Sequence, residues 1–96
     1  MKKQTAIALL TKSKTLLQEK YGVTTLALFG STARDTATEN SDIDILIAFE
    51  GKADSKRYFG SLFYLEDLLE CPVDLITQTA LRPELKPYIE AEIIYV

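Results

Sequence analysis

The chain has no histidine, no tryptophan, one cysteine, three prolines and four glycines in 96 residues. Without histidine there is no imidazole acid–base catalysis, no Ser-His-Asp triad and no His-ligated zinc. Cys71 alone can form neither an intrachain disulfide nor a thiolate zinc cluster. Any metal site must therefore be built from oxygen ligands, which suit hard ions such as magnesium, manganese or calcium. No run of about 18 apolar residues is present, so nothing is expected to span a membrane. Met1-Lys2-Lys3 leads only into a short mixed stretch, Ile7 to Leu10, broken by Lys12 and Lys14. That is not the apolar run of a signal peptide, and the expected setting is reduced and cytoplasmic. Internal repeats, low-complexity tracts and Pro/Gly-rich linkers are also missing. One domain over 1–96 is expected, with a core that is real but thin.

What is present is unevenly charged. The net charge is −3. Residues 1–20 carry Lys2, Lys3, Lys12, Lys14 and Lys20 against Glu19 alone, while the acids are concentrated beyond them. The lysines read as a solvated helix face or as a docking surface for an acidic partner. A globally acidic chain is a poor candidate for sequence-specific nucleic-acid binding, because phosphate neutralisation dominates that affinity.

Hydrophobic spacing gives the order αβ(α)βαβαβ. Residues 4–20 place Ile7, Leu10, Lys14 and Leu17 in one row with Ala6, Leu9 and Leu16 beside it, an amphipathic helix closed by Gly22. Thr24 to Phe29 is a strand, and Thr32-Ala33-Arg34 starts a short helix. Ile43 to Phe49 is apolar enough to be a central strand. Ser55 to Glu70 is helical, with Phe59, Leu62, Phe63, Leu65, Glu66 and Leu69 in register, and Cys71-Pro72 stops it. The Tyr58/Phe59/Phe63/Tyr64 group reads as helix core rather than a base-stacking platform, and Cys71 as a small buried hydrophobe. Val73 to Ile76 is a strand, Ala80 to Glu90 a helix and Ile93 to Val96 a final strand, paired within the fold or across an interface. The expected fold class is α/β (α+β), a small mixed sheet flanked by helices.

Three features carry chemistry. Gly30-Ser31 joins a strand to a helix start, where glycine permits positive φ and close backbone approach, and free N–H groups suit a phosphate. Ser31 is either the helix N-cap or a hydroxyl donor to phosphate. Asp42 and Asp44, at i and i+2, point the same way about 6–7 Å apart. Their repulsion calls for compensation, by a divalent cation or by solvent at a strand end. Asp74, an acid among apolar neighbours, joins them if its strand lies alongside; otherwise it is an exposed edge residue.

Gly30-Ser31, ten residues, then Asp42-x-Asp44 resembles the signature of the DNA polymerase β-like nucleotidyltransferases. Phe29 to Arg34, Asn40 to Ile47, Val73 to Ile76 and the ending Leu81 to Val96 look like the minimal nucleotidyltransferase (MNT) group in particular. The resemblance covers the chain from about residue 22, which implies an N-terminal helix (1–21) followed by a catalytic core (22–96). It implies that Asp42, Asp44 and Asp74 hold magnesium or manganese ions, and that Asp74 also helps to activate the attacking hydroxyl. It implies that Gly30 and Ser31 cradle the β/γ-phosphates of ATP. Arg34 either reaches a phosphate or pairs with Asp35, Glu39 or Asp42. Asp35 stands where many relatives have glycine and puts an extra negative charge near the phosphate site.

The reaction implied is attack on the α-phosphorus of a nucleoside triphosphate, with pyrophosphate leaving. MNT proteins act as antitoxins of HEPN-domain ribonuclease toxins and can adenylylate a tyrosine on them, as in type VII toxin–antitoxin systems. A chain this short leaves little room for an acceptor-binding domain, so a HEPN-type partner is expected to bring the acceptor. The rivals are a non-catalytic binding antitoxin with a vestigial site and a small-molecule, aminoglycoside-type nucleotidyltransferase.

Overall fold

The computed structural model describes residues 1–38 and 40–96. The elements are α1 (Lys3–Tyr21), β1 (Val23–Phe29), α2 (Gly30–Ala33), β2 (Ile43–Phe49), α3 (Ser55–Leu69), β3 (Val73–Thr77), α4 (Lys86–Glu90) and β4 (Ile94–Tyr95). A 3-10 turn, Gln78–Ala80, follows β3. The four strands form one mixed sheet in the order β3-β2-β1-β4. β2 is antiparallel to β1 and parallel to β3, and β4 is antiparallel to β1. The parallel pair needs a crossover, and α3 provides it.

Alternation along the strands sorts the side chains between two faces. Leu26, Leu28, Ile43, Ile45, Ile47, Val73 and Leu75 form the main core together with Ala6, Leu10 and Leu17 of α1 and Leu65 and Leu69 of α3. The opposite face is thinner: Ala27, Phe29 and Leu46 pack under Ile89 of α4, with Ile76, Leu81 and Ile93 at the margin. β2 is apolar on both faces and lies between two strands, as its composition predicts.

Local signals explain most boundaries. Gly22 closes α1 in the left-handed conformation (φ 70°), its N–H bonded to the Gln18 and Leu17 carbonyls. Asp54 caps α3 by accepting from the Arg57 N–H at 2.8 Å. α3 stops at Leu69, with Glu70 in the left-handed region ahead of Pro72.

Three expectations need correction. The buried stripe of α1 is Ala6, Leu10, Ser13 and Leu17, while Leu16 is exposed. Ser13 can be buried because its hydroxyl donates to the Leu10 carbonyl at 3.0 Å. On α3 the buried residues are Ser61, Leu65 and Leu69; Phe59 and Phe63 stack on each other in the open, the latter 61% exposed. Tyr58 and Tyr64 do pack against the core. Finally, residues 80–90 are not one helix. Pro83 disfavours helical backbone at Arg82, so regular helix starts only at Lys86, where Pro87 fits the first turn.

Candidate active site

The site lies where β1 ends and β2 and β3 begin. Asp44 falls between Ile43 and Ile45, and Asp74 between Val73 and Leu75, so alternation turns both acids away from the main core. They lie on the face that α4 covers only in part. In the parallel ladder Asp44 is the register partner of Asp74, and across the antiparallel ladder it is the partner of Phe29. Asp42 lies just before β2 and is exposed; Asp74 is also exposed, and Asp44 is half-buried.

These surroundings raise the Asp44 carboxyl from 3.8 to about 6. The first cause is burial, followed by the charge of Asp74 and a side-chain hydrogen bond with it, and then the charge of Asp42; Arg34 pulls the other way.

Gly30 follows directly from β1 with φ +73°. A Cβ placed there would lie 2.8 Å from the Asp44 Cγ and collide with its carboxylate. The turn and the acid are thus in contact, and glycine alone satisfies both the space and the dihedral angle. Ser31 is not a helix cap, because Phe29 holds that position with no side-chain cap bond. The Ser31 carbonyl instead accepts from the Thr36 N–H at 2.9 Å. Asp35 adopts a left-handed backbone (φ 60°), a geometry that glycine takes more readily, and its Oδ1 accepts from the Lys3 N–H at 3.2 Å.

Among the described residues, Arg34 pairs with neither Asp35 nor Asp42. Its Nη1 donates to Glu92 Oε2 at 2.7 Å. Glu39 lies outside the described residues. Glu92 Oε1 also accepts from the Gly30 N–H at 3.1 Å. Sequence reasoning missed Glu92, because its place depends on how β4 registers against β1. Two α3 side chains secure the edge strand β3: Glu66 Oε2 accepts from the Val73 N–H at 3.1 Å, and the Tyr58 hydroxyl donates to the Leu75 carbonyl at 2.6 Å.

The donor set suits a hard divalent cation, since it contains only carboxylates and their mutual repulsion already makes one of them a weak acid. Among the described residues no three acidic, cysteine or histidine side chains already surround one point where a metal ion would sit. Asp42 and Asp74 would have to turn toward the ion, a motion their exposure leaves open.

The family model for a nucleotidyltransferase domain matches residues 10–96. The chain belongs to this nucleotidyltransferase family. It is 46% identical over 89 residues to a candidate protein adenylyltransferase of Methanocaldococcus jannaschii, covering 92% of this chain and 91% of that one. It is 36% identical over 89 residues to the protein adenylyltransferase MntA of Thermococcus cleftensis, covering 93% and 90%. A solved structure described as a candidate minimal nucleotidyltransferase superposes with a TM-score of 0.83 at 32% identity, covering 98% of this chain and 95% of that one. The MNT antitoxin in complex with a tri-AMPylated HEPN toxin of Shewanella oneidensis shares the fold (TM-score 0.66, 20% identity, 94% and 70% covered). The nucleotidyltransferase has no helix long and apolar enough to cross a membrane among its described residues.

Proposed function

We propose that the chain is a minimal nucleotidyltransferase of the protein-adenylylating kind that transfers AMP from ATP to a hydroxyl, a tyrosine of a HEPN-type partner, and so acts as an antitoxin. The observation that carries this reading is the direct packing of the Gly30 turn on Asp44, with Asp74 as its register neighbour. A turn able to approach phosphate and a set of acids able to hold its counter-ions occupy one corner of the sheet. The adenylyltransferase names of the relatives support the chemistry, and the structural likeness to an antitoxin bound to an AMPylated toxin supports the partner.

In this reading Gly30 and Ser31 receive the β/γ-phosphates and Arg34 meets a phosphate oxygen. Asp42, Asp44 and Asp74 would hold magnesium or manganese ions, which would supply screening of the triphosphate charge. Asp74, on the strand farther from the turn, faces the incoming hydroxyl and takes up its proton. The hydroxyl oxygen forms a bond to the α-phosphorus, and the α–β bridging bond breaks to release pyrophosphate. Positioning and electrostatics carry the catalysis, so a site without histidine loses nothing essential.

The test is transfer of label from α-labelled ATP to a HEPN protein encoded beside this chain, with magnesium present. Transfer by the wild type but not by the Asp42→Ala/Asp44→Ala variant supports the reading. No transfer, or transfer unaffected by the double substitution, overturns it. Protection from the toxin that persists in the double variant would assign the chain to the binding-only class.

A further inference from the structure

We infer that Glu92 is a positioning residue of this site, fixing the Gly30-Ser31 turn and aiming Arg34; the inference rests on the reading above. β4 pairs Ala27 with Tyr95 and Leu28 with Ile94. Continued by two residues, that register brings Glu92 opposite Gly30. Strand pairing has ended there, and the Glu92 carboxylate takes its place. Oε1 accepts from the Gly30 N–H at 3.1 Å and Oε2 from Arg34 Nη1 at 2.7 Å. One side chain thus ties the approach to β4, the turn after β1 and the residue after α2.

Each contact corrects a weakness of the site. Gly30 is buried, and its N–H left without an acceptor would be costly. Glycine at φ +73° also has the widest conformational choice of any residue, so the turn needs an external restraint. Arg34 is long and its side chain is 52% exposed; an ion pair this open contributes little to stability. Its value is geometric. A guanidinium has five N–H donors, and Glu92 engages Nη1, leaving other donors for an incoming anion. A further acid beside a triphosphate site would ordinarily repel the ligand, and its pairing with Arg34 offsets that cost.

The experiment uses the full chain and its Glu92→Ala, Glu92→Gln, Arg34→Ala and Glu92→Ala/Arg34→Ala variants. Three quantities are measured: AMP-PNP affinity, hydrogen exchange at the Gly30 amide, and KM against kcat for ATP. Glu92→Ala is expected to weaken AMP-PNP binding about tenfold, speed Gly30 exchange and raise KM more than it lowers kcat. Glu92→Gln keeps an acceptor for Gly30 and should restore slow exchange but only part of the affinity. In the Arg34→Ala background, Glu92→Ala should cost less than in the wild type, because one of its two routes is gone.

Unchanged AMP-PNP affinity in Glu92→Ala and Glu92→Gln overturns the inference. Tighter binding overturns it too, since Glu92 would then be obstructing the site. Should Glu92→Ala fail to fold, the Glu92→Gln result decides by the same criteria. A wild type that binds no AMP-PNP removes the underlying reading as well, which distinguishes that failure from this one.

Discussion

Asp44 and Asp74 are register partners in the parallel β2–β3 ladder, two acids side by side where strands ordinarily place neutral pairs. Like charges directly opposite are unfavourable in a sheet, and burial of Asp44 adds to the cost. The fold tolerates this because the site lies at the start of both strands, on the face that α4 covers only in part. The local instability is the property a cation site needs, since a bound ion converts the repulsion into attraction.

The pH dependence follows from Asp44. Its carboxyl rises to about 6 in the folded chain, against 3.8 for the ordinary group. Between those values the folded state holds more protons than the unfolded state, so Asp44 makes stability fall as pH rises from about 4 to about 6. Asp44→Asn removes that penalty. With allowance for solvent around a half-buried group, the gain is about 1 kcal/mol at pH 7 and close to zero at pH 4. Urea unfolding of both chains between pH 4 and 8 measures it. An Asp44→Asn chain no more stable than wild type at pH 7 would contradict this account.

Magnesium should act on the same penalty from the other side. A ligand that binds only the folded state stabilises it in proportion to its concentration over Kd. Millimolar MgCl2 should therefore raise the melting temperature of the wild type, more at pH 7.5 than at pH 5, where Asp44 is mostly protonated. Asp44→Asn should lose the response, and calcium in place of magnesium tests how tightly the site discriminates. An equal rise in both chains would mean that the ion acts elsewhere.

Much of this arrangement was legible in the residues, for reasons that differ from element to element. The order of helices and strands was readable because Ile43–Phe49 is apolar on both faces and Gly22 and Pro72 punctuate their neighbours. Asp44 and Asp74 were readable because acids in strands are uncommon, and Gly30 because a glycine directly after a strand permits a positive φ. The α1 stripe was legible at Ala6, Leu10 and Leu17 but lacked Ser13, which satisfies its own hydroxyl within the helix and carries no hydrophobic signal. Phe59 and Phe63 misled because large aromatics at helical spacing suggest core, yet α3 meets its neighbours through Ser61, Leu65 and Leu69. Glu92 was invisible because its partners, Gly30 and Arg34, are about sixty residues away and are reached only through the pairing of β4.

Gly30→Ala tests the contact between turn and acid. The added methyl meets the Asp44 carboxylate and the backbone keeps a positive φ, so both must shift. A left-handed alanine costs about 1 kcal/mol or more, before the displaced carboxylate is counted. The expected result is a stability loss of about 2 kcal/mol by chemical unfolding and AMP transfer too slow to detect. Gly30→Ala combined with Asp44→Ala makes room for the methyl and should recover part of the stability while leaving the chain inactive.

Tyr58→Phe tests how the edge strand is held. The Tyr58 hydroxyl donates to the Leu75 carbonyl at 2.6 Å, next to Asp74 in sequence. Burial and the nearby Asp74 charge both raise its pKa, so it stays protonated and a donor throughout the neutral range. Removing it leaves the Leu75 carbonyl to be satisfied by solvent, at a cost of about 1 kcal/mol in unfolding free energy. Glu66 still anchors Val73, so β3 should remain paired and binding of AMP-PNP should be nearly unchanged. Turnover should fall a few-fold if Asp74 must be held in place to receive the acceptor's proton, so a Tyr58→Phe chain with wild-type kcat would show that β3 positions Asp74 without this bond.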